Sequence, residues 1–283
     1  MPASPPRGAR SPGRHVVLIH GIPGSGRSWD AVLDHLSGDP AVCPVVPDLL
    51  GFAGSGRPTS LEDLHAAAQA ARLETALDRC GVLRPILVGH DFGGPVALRL
   101  LMRRPNGYAG VVLAATNAFG DTPIPFPLSL VNAPLVGGAL ARLLFSRAAL
   151  SGMCRFGARR GSVDAAAAVG DAAQAAAIRT IFAGSLSDLP GLYGPIERAL
   201  PSLRVPALVV WGERDPFFPR AVGERTAAAI PGAALEVLRG CGHFLPEEAP
   251  HTFAQLIAAF AHTVSGAAPA RTSDVVRAAA GAR

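Results

Sequence analysis

Short apolar runs recur along the chain, and a loop and a stretch of helical periodicity follow each of them. The first run, residues 15–20, has four consecutive apolar residues between turn signals, as is typical of a strand buried on both faces. Alternating strands and helices form βαβ units, which build a parallel sheet covered by helices on both sides. We therefore predict an α/β fold, with further strands at 43–49, 86–89, 110–116, 205–211 and 235–238.

The alternation stops between residues 117 and 202, a segment rich in Ala, Leu, Pro and Gly. Helical patches at 135–150 and 162–186 are its only periodic parts, so we expect a helical insertion between two strands. Open parallel sheets bind ligands at the carboxyl ends of their strands, and the insertion is expected to cover that edge. The predicted division is a disordered tail (1–14), a core (15–116 and 203–264), a helical cap (117–202) and a C-terminal tail (265–283).

The net charge of +5 is confined to the two predicted tails. The first 14 residues carry three arginines and no acid, and the last 19 carry three arginines against one aspartate. Between them, arginines and acidic residues balance. A nucleic-acid-binding protein concentrates positive charge on a folded face, so no nucleic-acid partner is predicted.

The sequence also bears on membranes, metals and compartment. Residues 1–14 lack the apolar stretch of a signal peptide, which favours a cytoplasmic location. The uncharged run 122–141 is about long enough to span a bilayer, but its four prolines argue against a spanning helix, and no membrane partner is expected. The four cysteines lie far apart, so no cysteine metal site is predicted.

The strongest local motif is Val-Gly-His-Asp-Phe-Gly-Gly at residues 88–94, between a predicted strand and a predicted helix. It has the form of the nucleophile elbow G-x-S-x-G, with Asp91 in the place of the serine. Such a turn presents its central side chain to the pocket, and the helix start behind it favours negative charge. A helix N-cap is the simpler explanation of Asp91, since aspartate is common there.

Two further motifs reduce the weight of that simpler explanation. Asp215 follows the predicted strand 205–211, and His243 follows the strand 235–238. Each alone could belong to an ordinary turn. Together with Asp91 they follow the chain order nucleophile, acid, histidine, and each stands at the carboxyl end of a strand. The three are therefore predicted to form a catalytic triad.

The loop His-Gly-Ile-Pro-Gly at residues 20–24 follows the first strand. It can place the backbone N–H of Ile22 opposite that of Phe92, and two such donors form an oxyanion hole. An ordinary glycine turn would explain the glycines but not their position.

Five segments together resemble a known family: HGIPG, PDLLGFAGSGRP, VGHDFGG, VWGERDPFFP and GCGHFLPEEAP. They resemble the α/β-hydrolase fold, and within it the branch of epoxide hydrolases and haloalkane dehalogenases, whose nucleophile is an aspartate. The resemblance runs from about residue 15 to 264. It implies a mostly parallel sheet with a helical cap, no cofactor and no metal. It also implies Asp91 as nucleophile, His243 as water-activating base, Asp215 as its orienting acid, Ile22 and Phe92 as oxyanion-hole donors, and Pro23 at a proline that is often cis.

The chemistry of the residues supports the same roles. A carboxylate attacking an sp³ carbon forms an alkyl ester on the enzyme, and a histidine can then activate water to hydrolyse it. Attack of a carboxylate on an ester would give only an anhydride, which argues against esterase chemistry.

The residues that stabilise the leaving group in the two branches are only partly present in this chain. Dehalogenases typically bind halide with tryptophans, but Phe92 follows the nucleophile, and the chain's two tryptophans, Trp29 and Trp211, lie outside the cap. Epoxide hydrolases usually use two cap tyrosines as proton donors. Here Tyr193 lies in the cap, whereas Tyr108 precedes it.

We therefore predict an epoxide hydrolase with Tyr193 as acid. Two alternatives stay open, a haloalkane dehalogenase using the same ester route and a non-hydrolytic enzyme that rearranges a natural product with Asp91 and His243 as acid and base. The apolar cap favours a small apolar substrate, and the chain is expected to be a monomer or homodimer. Substrate contacts are assigned to His20, Pro23, His90 and Phe126.

Overall fold

All six strands of the computed structural model, which describes residues 13–124, 126, 128–161 and 163–265, lie in one sheet. The order across the sheet is β2-β1-β3-β4-β5-β6, and every neighbouring pair is parallel. The predicted α/β class is confirmed. The strands are β1 (Arg14–Ile19), β2 (Val42–Val45), β3 (Ile86–His90), β4 (Gly110–Ala114), β5 (Ala207–Gly212) and β6 (Ala234–Leu238).

Helices fill the connections between the strands. In chain order they are α1 (Asp30–Leu36), α2 (Ala66–Arg79), α3 (Gly93–Arg103), α4 (Gly137–Leu144), α5 (Arg147–Gly157), α6 (Ala165–Val169), α7 (Ala172–Ser187), α8 (Leu189–Ala199), α9 (Arg220–Ala229), α10 (Leu245–Glu248) and α11 (Pro250–Ser265). None of the helices in the described ranges combines the length and apolarity needed to cross a bilayer.

The sheet divides the core into two layers, because successive side chains of a strand point to opposite faces. Val17 and Ile19 of β1 pack into the cluster that includes α2, α3 and the helices after β4. Val16 and Leu18 pack into the other cluster, with α1 and α11. All four side chains are fully buried, and each such burial contributes roughly 1.5–3 kcal/mol. This double coverage explains why the strands read as continuous apolar runs.

Five helices, α4 to α8, lie between β4 and β5. Their segment reaches loops at the carboxyl ends of the strands. The Gln174 side chain donates to Gly24 O and accepts from the N–H of Ala53, and Arg99 of α3 donates to Leu192 O. We call residues 117–202 the cap. The exact division of the chain into core and cap stays a prediction.

Several predicted boundaries shift in the structure. Arg14, assigned to the N-terminal tail, pairs with Val42 as the first residue of β1. The second strand runs from Val42 to Val45 rather than from residue 43 to 49. The patch 135–150 is two helices, since Ser146 caps α5. Predicted tail residues 1–12 and 266–283 lie outside the described residues.

Candidate active site

The elbow after β3 holds Asp91 in a left-handed conformation, with φ of 49°. Two glycines make this turn possible. A Cβ on Gly89 would collide with the backbone of residue 93, and one on Gly93 would collide with the carbonyl of Ile19. The hydroxyl of Thr116 donates to Asp91 O at 2.6 Å and fixes the turn from the neighbouring strand. Asp91 is therefore held in a strained backbone conformation that directs its carboxylate into the site.

Asp91, His243 and Asp215 come together at the carboxyl edge of the sheet. Asp215 Oδ2 lies 2.9 Å from His243 Nδ1, and His243 Nε2 lies 3.4 Å from Asp91 Oδ2. The other Asp215 oxygen accepts the N–H groups of Phe217 and Phe218, at 2.8 and 3.0 Å. Asp215 is thus fixed by backbone donors and aligns the imidazole with Asp91.

The predicted oxyanion-hole residues flank Asp91. The N–H of Ile22 donates to Asp91 Oδ1 at 2.7 Å, and Phe92 follows Asp91 at the start of α3. The Ile22–Pro23 peptide is cis, and both residues line the cavity described below. The two carboxylate oxygens therefore have different surroundings, with Oδ1 on the backbone donor and Oδ2 on the histidine.

The charges in this cluster are strongly coupled. Burial lowers the pKa of His243, but the carboxylates of Asp215 and Asp91 outweigh burial and raise it to about 10. Burial raises the pKa of Asp91, but the hydrogen bond and charge of His243 bring it below its usual value. In the free protein at neutral pH, an imidazolium therefore lies between two carboxylates.

Two other histidines lie behind the cluster and stay neutral. Burial and the charge of His243 lower the pKa of His90 to about 4, and burial lowers that of His20. His90 Nε2–H donates to His243 O at 2.9 Å, while His20 Nε2 accepts the N–H of Leu49 at 3.1 Å. Neither side chain is part of the cavity wall, and the substrate contacts assigned to them stay a prediction. Both histidines fix loops.

A cavity of about 120 Å³ opens above Asp91 and His243. Its walls come mainly from the cap and from the loop after β5, and they are largely apolar. They include Pro23, Phe92, Ile124, Leu128, Phe182, Leu189, Tyr193, Phe217 and Phe218. Phe126, which was predicted to contact substrate, is 79% exposed and lies outside this lining. Its assignment as a substrate contact stays a prediction.

Tyr193 of α8 lies in the cavity wall and is almost fully buried. Burial and the negative charge of Asp91 raise the pKa of its phenol, so the phenol keeps its proton at neutral pH. The side chain of Asn117 lies close enough to this phenol to offset part of the rise in its pKa, and it also lines the cavity. Asn117 was missed by the sequence analysis, although its place just after β4 was a signal, since ligands bind at the carboxyl ends of strands.

Neither tryptophan lines the cavity. Trp211 Nε1 donates to Phe218 O at 2.8 Å, and Trp29 packs against Phe253 of α11 in the core. Within the described ranges, no group of three His, Cys, Asp or Glu side chains could hold a metal ion. The polar atoms that face the cavity are therefore carboxylate, imidazole, phenol, amide and hydroxyl groups.

A family model described as the alpha/beta hydrolase fold matches residues 14–250, which is most of the chain. The chain belongs to the α/β-hydrolase fold family. The match covers β1 to β6 with the cap between them, and it ends at the first residue of α11. The resemblance inferred from the five sequence motifs is therefore confirmed.

Relatives in this family include both classes that the motifs resemble. Epoxide hydrolase 3 of Xenopus tropicalis is 26% identical over 264 residues, which cover 87% of this chain and 70% of that protein. Haloalkane dehalogenase 2 of Mycobacterium bovis is 28% identical over 263 residues, which cover 87% of each. The chain is thus similar to enzymes of two reaction types.

Solved structures agree on the fold. The ancestral haloalkane dehalogenase AncHLD2 matches with a TM-score of 0.77 at 21% identity, covering 91% of this chain and 94% of that one. An esterase from Exiguobacterium antarcticum matches with a TM-score of 0.73 at 18% identity, covering 88% and 92%. One family fold hosts several chemistries, so these likenesses establish the fold, and function has to be argued from the cavity.

Proposed function

We propose that this member of the α/β-hydrolase family is an epoxide hydrolase. One observation carries the proposal. The carboxylate of Asp91 lies between a backbone donor and His243, in an apolar cavity that also contains the protonated phenol of Tyr193. Such a cavity offers a nucleophile, a base and an acid to a small apolar substrate.

In the first step Asp91 Oδ2 attacks a carbon of the epoxide. The C–O bond of the ring breaks, its electron pair goes to the epoxide oxygen, and that oxygen takes the proton of Tyr193. The product is an alkyl ester of Asp91. Oδ1 remains on the Ile22 N–H and becomes the carbonyl oxygen of the ester, where that donor stabilises the oxyanion of the next step.

In the second step His243 removes a proton from water, which attacks the ester carbonyl. The raised pKa of His243 explains how the base becomes available only then. Forming the ester removes the negative charge of Asp91, one of the two charges that hold the proton on His243. Once that charge has gone, the imidazolium gives its proton, by way of water, to the Tyr193 phenolate left by the first step, and Asp215 keeps the imidazole oriented. When the tetrahedral intermediate collapses, its bond to the alkyl oxygen breaks and that oxygen takes the proton of the hydroxyl group added by water. Asp91 is then a carboxylate again, His243 holds the proton taken from water, and the diol leaves.

The test is to trap the ester. We expect His243→Gln, incubated with a panel of small epoxides, to gain the mass of one whole epoxide by intact-protein mass spectrometry. His251→Gln, which changes an exposed histidine of α11, is the matched control and should turn over without accumulating the adduct. The adduct should disappear in the double variant Asp91→Asn/His243→Gln. A gain that persists there would place the modification on another residue and contradict the proposal.

Haloalkane dehalogenation is the second candidate, because one relative is named a dehalogenase. The same ester would form, so the trapped variant would gain the mass of the haloalkane less hydrogen halide. The cavity wall argues for the epoxide, since it supplies a phenol proton donor and no indole N–H. No adduct from either compound class would instead favour non-covalent acid–base chemistry by Asp91 and His243.

A further inference from the structure

Exposed large apolar side chains are concentrated on the cap. In the part of the chain that the structure describes, eight such side chains are exposed, and six of them belong to the cap. These six are Phe126, Leu130, Leu135, Val136, Leu143 and Phe156. Scattered single exposures are ordinary, but a cluster of this kind in one short segment usually marks an interaction surface.

The same segment carries charge of one sign. Residues 122–163 contain five arginines and no acidic residue, although the chain between the predicted tails is balanced overall. All five arginines are exposed, and they are Arg142, Arg147, Arg155, Arg159 and Arg160. The surface is therefore both apolar and cationic, which fits an anionic partner.

Helix α4 shows how the two properties combine. Its exposed residues, Gly138, Ala139, Arg142 and Leu143, share one face of the helix, whereas Ala141 is buried against the core. Leu135 and Val136 project just before the helix begins. An apolar surface edged by arginine is the pattern of segments that lie in the interface of a bilayer.

This surface adjoins the candidate active site. Ile124 and Leu128 line the cavity above Asp91, and they precede and follow the exposed Phe126 within five residues. A substrate reaching the cavity along this segment would pass the apolar surface. The exposed apolar side chains and part of the cavity wall thus belong to one stretch of chain.

We propose that the cap face formed by Phe126, Leu130, Leu135, Val136 and Leu143, with the neighbouring arginines, docks onto an anionic lipid surface. The occupant is a membrane rather than a protein because the arginines of this segment match anionic headgroups and its exposed apolar side chains match the acyl boundary below them. Docking would present the cavity to apolar substrates dissolved in the bilayer. The sequence predicted neither a membrane-spanning helix nor a membrane partner. Docking of the cap on a lipid surface keeps the first prediction and departs from the second.

The experiment is vesicle co-sedimentation of the full chain. We expect the protein to pellet with vesicles of phosphatidylcholine and phosphatidylglycerol in equal parts, and much less with phosphatidylcholine alone. High salt should release it, because screening weakens the arginine contribution. The double variant Leu135→Ser/Leu143→Ser should bind the anionic vesicles about tenfold more weakly, since two apolar contacts are lost.

Leu83→Ser is the matched control, because Leu83 is 79% exposed but lies between α2 and β3, far from the cap in sequence. It should bind like the unaltered chain. Equal weakening in both variants, or no binding to anionic vesicles, would overturn the proposal. A dimer in light scattering that only the cap variant dissociates, without vesicle binding, would assign the face to a second copy of the chain. Binding needs no turnover, so this test and the ester test can fail independently.

Discussion

In the proposed mechanism Tyr193 is the acid that opens the epoxide, because its phenol is the one tyrosine hydroxyl in the cavity wall. Tyr193→Phe removes the proton donor and keeps the ring in place. We expect epoxide opening to slow by about 10²–10⁴-fold, as is typical when a general acid is lost. Hydrolysis of an ester already formed should change little, since that step uses His243. Pre-steady-state kinetics of adduct formation and decay measures the rates of epoxide opening and ester hydrolysis separately.

Tyr108→Phe is the control for this variant. Tyr108 is also buried, but it lies beside Glu74 and Arg104 on the far side of α3, outside the cavity wall. Both variants lose one phenol oxygen, so they should differ only in the rate of ring opening. Equal slowing in both variants would mean that Tyr193 acts through packing and not as an acid.

The sequence located some residues of the candidate site and not others, depending on whether they directly follow a strand. The motifs predicted Asp91, His243 and Asp215 because each follows a strand, and the sheet then brings the strand ends together. Phe126, assigned to substrate contact, lies outside the cavity wall, because the sequence of a loop does not fix the direction of a side chain. Asn117 was missed because its contact with Tyr193 joins β4 to a cap helix, and only the fold brings these together.

At the scale of elements, Glu248 joins the loop of His243 to the end of α5. Its carboxylate accepts four backbone N–H groups. Two belong to the histidine loop, Gly242 at 2.8 Å and Phe244 at 2.9 Å. The other two belong to the cap, Arg159 at 2.8 Å and Arg160 at 2.9 Å. The N–H of His243 itself donates to Gly157 O, so the catalytic loop and the cap share one set of bonds.

Glu248→Gln should therefore destabilise the protein. The amide places an NH₂ group where backbone donors need an acceptor, and hydrogen bonds to a buried charge are lost. We expect the free energy of unfolding to fall by about 3 kcal/mol in urea titrations. Ester hydrolysis should slow more than ester formation, because only hydrolysis depends on His243 as a base.

Glu213→Gln is the comparison for Glu248→Gln. Glu213 accepts one N–H, that of Gly240, at an exposed position. Its variant should lose less than about 1 kcal/mol, as exposed substitutions usually do. Similar losses at the two positions would show that the four-donor arrangement adds nothing to stability.

Elements of the core were predicted better than elements of the cap, for a physical reason. A strand buried on both faces must be apolar at every position, and that pattern is visible in sequence. Helix α8 was missed because it contains Pro190, Gly191 and Pro195, which normally interrupt helices. Its packing on α3, with the bond from Arg99 to Leu192 O, outweighs that local preference.

For the whole molecule, the buried histidines oppose each other in their effect on stability. His243 binds a proton more tightly when folded, with a pKa of about 10, so its contribution is full below pH 6.5 and is lost as pH rises towards 10. His90 binds a proton less tightly when folded, so its contribution is full above pH 6.5 and is lost as pH falls towards 4. Stability should therefore peak near neutral pH.

His90 accounts for part of the acid side of that profile, together with His20, whose pKa burial also lowers. Between pH 6.5 and about 4, His90 is protonated in the unfolded chain but stays neutral in the folded chain. This difference lowers the free energy of unfolding by about 3 kcal/mol. His90→Gln keeps a donor for His243 O and removes the titration, so its acid limb should be shallower by that amount. His251→Gln, at an exposed histidine, should leave the limb unchanged. Urea unfolding at a series of pH values measures all three chains. Parallel acid limbs in the unaltered chain and His90→Gln would mean that other groups govern acid unfolding, and that His90 accepts its proton without leaving the folded state.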